Sequence, residues 1–214
     1  MATASQSLYN MTVASDNAGG NQGLLMPKLQ FRFRVNFLNF GVDATGGLQL
    51  TKQVVDCARP NVQFADVTIP VYNSTIKLAG KHSWQDITIN IRDDASGSVS
   101  KAVGQQLQKQ LDFVEQASAA SGQDYKFLTT IEMLDGGNGA LTPTVLETWE
   151  LYGCFLQSVN YGQVNYSSSD PVQLALTLRY DNAIQAPLGS GLGTLVGRAF
   201  NGPAGITTGI GGVS

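Results

Sequence analysis

The sequence predicts a mainly β protein: an antiparallel, two-sheet, barrel-like sandwich with one flanking α-helix at about residues 97–119. Three observations predict it. Several segments alternate apolar and polar residues with period two, most cleanly QFRFRVNF at 30–37 and VQLALTLRY at 172–180. That is the pattern of a strand with one covered face. One segment near the middle changes to a spacing of three and four, the pattern of an amphipathic helix. Charged residues make up only 14% of the chain, and 24 of its 214 residues are glycine, against averages of about 25% and ~7%. Low charge with many turn formers suits strands, turns and a surface buried against copies of the same chain.

The length suits one domain with arms. Residues 1–26 are polar and rich in Gly, Asn and Ser, and read as an N-terminal arm. Residues 27–184 read as the β domain and 185–214 as a Gly-rich C-terminal arm. In the first strand Phe31, Phe33, Val35 and Phe37 share one face, and Arg32, Arg34 and Asn36 the other. A turn at 41–47 precedes a second strand over Gln49–Ala58. Pro60 and Pro70 cannot donate to a ladder, so they mark strand ends or edges. Thr75–Ala79 form a short strand with Ile76 and Leu78 inward, and Ser83–Arg92 another, in which Ile87, Ile89 and Ile91 alternate with polar residues.

The helix carries Val99, Val103, Leu107, Leu111 and Val114 on one face, with Ser98 as its N-cap. Strands resume at 127–134, 144–156 and 158–166, and 172–180 closes the domain. The tail then carries Leu188, Leu192, Leu195, Val196, Phe200, Ile206, Ile210 and Val213. That is apolar for a linker. The first five of these are the candidate self-assembly contacts.

The residues offer little chemistry. His82 is the only histidine, so a Ser-His-Asp or Cys-His site would have to use it; beside Lys81 and Trp84 it reads as structural. Two cysteines and one histidine are too few and too scattered for zinc. Cys57 and Cys154 make no disulfide framework and read as free buried thiols, a single bridge being the alternative. Asp93-Asp94 lack the acidic spacing of a calcium loop and read as the lead into the helix, near the positive end of its dipole. The run Gly189-Ser190-Gly191-Leu192-Gly193 lacks the βαβ context of a phosphate loop. No catalytic, cofactor or metal site is expected. A net charge of −3 with 13 scattered Lys and Arg argues against gripping nucleic acid. The N-terminus has no basic and apolar signal-peptide pattern, and no run of ~18 apolar residues suggests a membrane anchor.

An ordered set of segments carries a resemblance. FRFRVNF at 31–37, CARP at 57–60, IPV at 69–71, TIKLAG at 75–80, WQDITINIRDD at 84–94, KQLDFVEQ at 109–116 and LALTLRYDN at 174–182 occur in this order. Over about residues 28–184 the chain resembles the tail tube proteins of contractile-tailed bacteriophages. The resemblance implies a non-enzymatic virion protein, assembled in the host cytoplasm, whose copies form hexameric rings. Stacked rings would make the hollow inner tail tube, the conduit for genome delivery. It also implies partners: the sheath protein outside, baseplate and terminator proteins at the ends, and a tape measure protein and DNA passing through the lumen without specific binding. A tube-initiating baseplate protein, or the tube of a contractile injection system, is the alternative. From a different class, a carbohydrate-binding β-sandwich would need Trp84 or Trp149 exposed beside convergent polar groups.

Overall fold

The computed structural model describes residues 28–42, 46–136, 143–186 and 191–193. β1 (Phe33–Leu38) buries Val35 and Phe37 and exposes Arg34 and Leu38, as alternation predicts, whereas Phe31, expected on the covered face, precedes the strand and is exposed. The chain then reverses through Asn39 and Gly41, both at positive φ. It enters a helix, α1 (Gly46–Gln53), and only then a short strand, β2 (Val54–Cys57). The expected strand over Gln49–Ala58 is therefore half helix. Helix formation puts Leu50 fully inside the core and lets the Thr51 hydroxyl donate to the Gly47 carbonyl one turn back, at 2.9 Å.

β3 (Val62–Val71) and β4 (Ser74–Trp84) form one long hairpin. The strand expected at 83–92 is split, because β4 ends at Trp84 and β5 (Ile87–Arg92) begins after Gln85-Asp86. β5 buries all three of its isoleucines.

The helix α2 (Ser98–Gln110) is shorter than its sequence pattern. Gly97, at φ 65°, stands at its N-cap rather than Ser98. Asp94 holds this end: its carboxylate accepts the Ser98 N–H and hydroxyl, both at 2.8 Å. At the other end Leu111 turns extended. Asp112 accepts the N–H groups of Val114 and Glu115, and this local bonding competes with further helix. A tight hairpin follows, β6 (Leu111–Asp112) with β7 (Ala117–Ser118), so Leu111 and Val114 leave the helical face. A four-residue helix, α3 (Gly122–Tyr125), has a Ser121/Asp124 capping box.

β8 (Phe127–Leu134) falls where alternation places it. The two strands expected at 144–156 and 158–166 are one, β9 (Val145–Asn160). β10 (Gln173–Arg179) pairs with the C-terminal half of β9, and β11 (Asn182–Ala186) with its N-terminal half. The break between them lies opposite Gly153, where the Asp181 N–H bonds the Tyr152 carbonyl at 2.9 Å. β11 carries the sheet two residues past the expected domain end at 184.

All pairings are antiparallel, in the order β1-β8-β9-β10-β5-β2 with β11 also on β9. The outer strands β1 and β2 do not pair with each other, so the sheet curls without closing into a barrel. The inward residues of both halves form one core with Leu50 of α1 and Val99, Ala102 and Val103 of α2. β9 belongs to both halves, and α2 lends its buried face to their common core.

Candidate assembly surface

The groups considered for chemistry serve the fold. Asp93 accepts the Ser100 hydroxyl at 2.5 Å, and Asp94 accepts Ser96 and Ser98; both carboxylates are occupied by the start of α2. His82 stands on the hairpin, with the rings of Phe64 and Trp84 each 6.3 Å away. Cys57 and Cys154 are unpaired thiols, bonded to the backbone carbonyls of Ala58 and Leu151. Burial pushes the Cys57 thiol up to about 12 and the Cys154 thiol to about 11. Among the described residues no group of three or more His, Cys, Asp or Glu side chains could hold a metal ion.

What the structure offers instead is a surface. In an antiparallel pair, residues directly opposite share a face. The register of β3 and β4 pairs Val67 with Leu78 and Ile69 with Ile76, and brings Val71 to Ser74. One face of the ribbon therefore carries Val67, Ile69, Val71, Ile76 and Leu78. The other carries Asp66, Thr68 and Pro70 with Thr75, Lys77 and Ala79. Every residue from 63 to 79 is exposed, and the five apolar side chains are 43–50% exposed. Ile76 and Leu78, expected inward, lie on this bare face. Alternation reports that a strand has an apolar face, not that the same chain covers it. Among the described residues no third strand flanks the ribbon, so Pro70 sits on an edge as expected.

The ribbon is firmly mounted. A register shift between Phe64 and Asp66 separates the shaft from the root, and Gly80 lets the strands close there: a β-carbon on it would lie 2.8 Å from the Ala65 carbonyl oxygen. On the β4 side Trp84 packs on the core with its ring 5.6 Å from Tyr180, and Asp86 pairs with Arg179 at 3.2 Å. On the β3 side Arg59 reaches Glu147 of β9 at 2.6 Å. Glu147 is only 5% exposed. It also takes the Trp149 indole N–H at 2.5 Å, the Gln185 amide at 3.1 Å and the Lys28 ammonium. Burial pushes its carboxyl up, but the Lys28 and Trp149 hydrogen bonds and the Arg59 charge outweigh that and hold it below the usual range. Sequence reading missed Glu147. The available signal was its phase: an acid at the inward position of a strand, two residues from an inward Trp, needs partners.

No protein-family model and no curated protein matches the sequence. Solved structures do match by fold. A chain from the baseplate of the anti-feeding prophage aligns with TM-score 0.54 at 14% identity, covering 76% of this chain and 97% of that chain. A chain from the sheath-tube complex of the PVC extracellular contractile injection system aligns with TM-score 0.54 at 16% identity, covering 76% and 93%. A chain from the tube-terminating cap of the anti-feeding prophage gives 0.54 at 14% identity, covering 80% and 98%. The fold is that of contractile-tail tube proteins.

Leu192 is described and 43% exposed, its carbonyl accepting the Gln185 N–H at 2.8 Å. Leu188, Leu195, Val196 and Phe200 lie outside the described residues. Trp84 packs against the core and Trp149 lies within it, so neither offers the exposed ring that a sugar platform needs. No helix among the described residues is long and apolar enough to cross a membrane.

Proposed function

We propose that this protein is a non-enzymatic, self-assembling subunit of the inner tube of a contractile tail or injection system, with six copies closing a ring and rings stacking into a conduit. The observation that carries this reading is the bare apolar face of the β3–β4 ribbon. Five aliphatic side chains stand half in water on a two-stranded element, and an isolated hairpin is marginally stable in water. Fully covering each such side chain contributes about 1.5–3 kcal/mol, so a second copy seated on the ribbon stabilises both. Contacts that are head-to-tail and close by rotation make rings.

The 6-fold symmetry named for the anti-feeding prophage baseplate supports six copies. The sheath-tube and cap assemblies named for other neighbours support a sheath outside and a terminator at the end. Residues 1–26 and, of the expected arm at 185–214, the part that follows β11 are proposed as arms, the second placing Leu188, Leu192, Leu195, Val196 and Phe200 against a neighbour because of its apolar composition. A net charge of −3 suits a conduit that DNA or protein cargo passes without being held. The neighbours' baseplate and cap roles favour a second reading, a ring that initiates or ends the tube.

Sedimentation velocity and negative-stain microscopy of the full chain test this. The natural sequence is expected to form rings or tubes as concentration rises. The variant Ile69→Asp/Ile76→Asp is expected to stay a folded monomer, since both positions are exposed and outside the core. A natural chain that is monomeric at every concentration, or a variant that assembles normally, overturns the reading.

A further inference from the structure

Glu147 joins stretches of chain that are remote in sequence. One buried carboxylate takes Lys28 from the lead into β1, Arg59 from the lead into β3, and Gln185 from β11. The Arg59 bond is the one with leverage. Only Pro60 and Asn61 stand between Arg59 and the first ribbon residue, Val62, and proline fixes its own φ.

The ribbon is ten residues long on β3, hence about 30 Å at ~3.3 Å per residue. A swing of about 10° at its root moves the tip by about 5 Å, which is comparable to the ~4.8 Å spacing of neighbouring strands. A ribbon that must meet a partner therefore needs its root held on both strands. Trp84 and the Asp86–Arg179 pair hold β4; the Arg59–Glu147 pair holds β3.

We propose that Glu147 is a positioning residue for assembly: through Arg59 it sets the direction in which the ribbon leaves the body, and through Lys28 and Gln185 it ties that direction to the two ends of the domain. This rests on the assembly reading above. A role confined to satisfying the Trp149 indole would leave the ribbon's direction untouched, and that difference is measurable.

Nitroxides carried by non-cysteine handles in place of Tyr72, at the fully exposed ribbon tip, and Thr88, exposed on β5, report the distance between ribbon and body in dilute full-length protein. The natural sequence is expected to give one narrow distribution. Glu147→Gln and Arg59→Gln are each expected to broaden it about twofold and to raise the assembly threshold about tenfold, the size of a strong single ion-pair contact. The double variant is expected to be no worse than the worse single one, because both changes remove one link. Arg59→Gln leaves the Trp149 and Lys28 bonds in place, so it decides the matter if Glu147→Gln does not fold. Unchanged distance widths, or broadened widths with an unchanged threshold, overturn the proposal. A natural chain that never assembles defeats the tube reading, and unbroadened distances then still defeat the clamp.

Discussion

Gly153 and Asp181 share one small space: a β-carbon on residue 153 would stand 2.1 Å from Asp181 Oδ2. The contact occurs where β10 gives way to β11 along β9. Gly153 has φ 68°, in the left-handed region that costs other residues about 1–2 kcal/mol. The Asp181 carboxylate beside it is held by Lys126 at 2.6 Å.

Gly153→Ala should therefore lower stability by about 1–2 kcal/mol from the backbone alone, with a further loss as Asp181 swings away. Urea denaturation measures it. Gly153→Ala/Asp181→Ala should recover the steric part and leave the backbone part, a non-additive pair. Purely additive losses would show that the two residues do not compete for this space.

Gln106 of α2 is fully buried and bridges the turn after β1 and the end of α3. Its carbonyl accepts the Gly41 N–H at 2.9 Å, and its amide donates to the Tyr125 carbonyl at 2.6 Å. Gln106→Leu removes both partners at once. At roughly 1–3 kcal/mol for each buried group left unbonded, a loss of about 2–6 kcal/mol is expected. Hydrogen exchange at the Gly41 amide should accelerate in the variant. A Gly41 amide as protected as before would contradict the assignment.

Asp94 has a folded-state carboxyl lowered to about 2, first by the Ser96 and Ser98 hydroxyls and then by the Ser98 amide. An unfolded aspartate titrates near ~3.9. Because the folded value is the lower one, the stabilisation is fully present above about pH 4 and is lost as pH falls through about 2. Carbon-detected NMR titration should place the Asp94 midpoint near the bottom of the carboxylate range. In Asp94→Asn, the acid dependence of stability over that window should shrink. A midpoint at the ordinary aspartate value would disprove the cap.

The strands that bury one face were legible in the sequence because inward and outward residues differ chemically at every step. β1, β5, β8 and β10 are such strands. Other elements depend on competition that periodicity does not encode. α1 was read as strand because its few apolar residues also fit period two; burial of Leu50 decided for helix. The end of α2 was overrun because Leu111 and Val114 continue the helical spacing, while Asp112 quietly offers the backbone another partner. β11, NAIQA, is too short and weakly apolar to announce itself and exists because β9 presents an open edge. For the candidate assembly surface, Thr75–Ala79 was legible as a strand, but its partner β3 over Val62–Val71 and the bareness of the pair were not. The Glu147 cluster draws donors from positions 28, 59 and 185, a convergence that only the fold creates.

β9 is a single strand of sixteen residues laced to β8, β10 and β11. A force that drags the two halves of the sheet past each other along this strand loads many hydrogen bonds together, in shear, instead of peeling them one at a time. The molecule thus has a stiff axis and, across it, softer directions. A particle built from such subunits would resist thrust best when β9 lies along the line of travel.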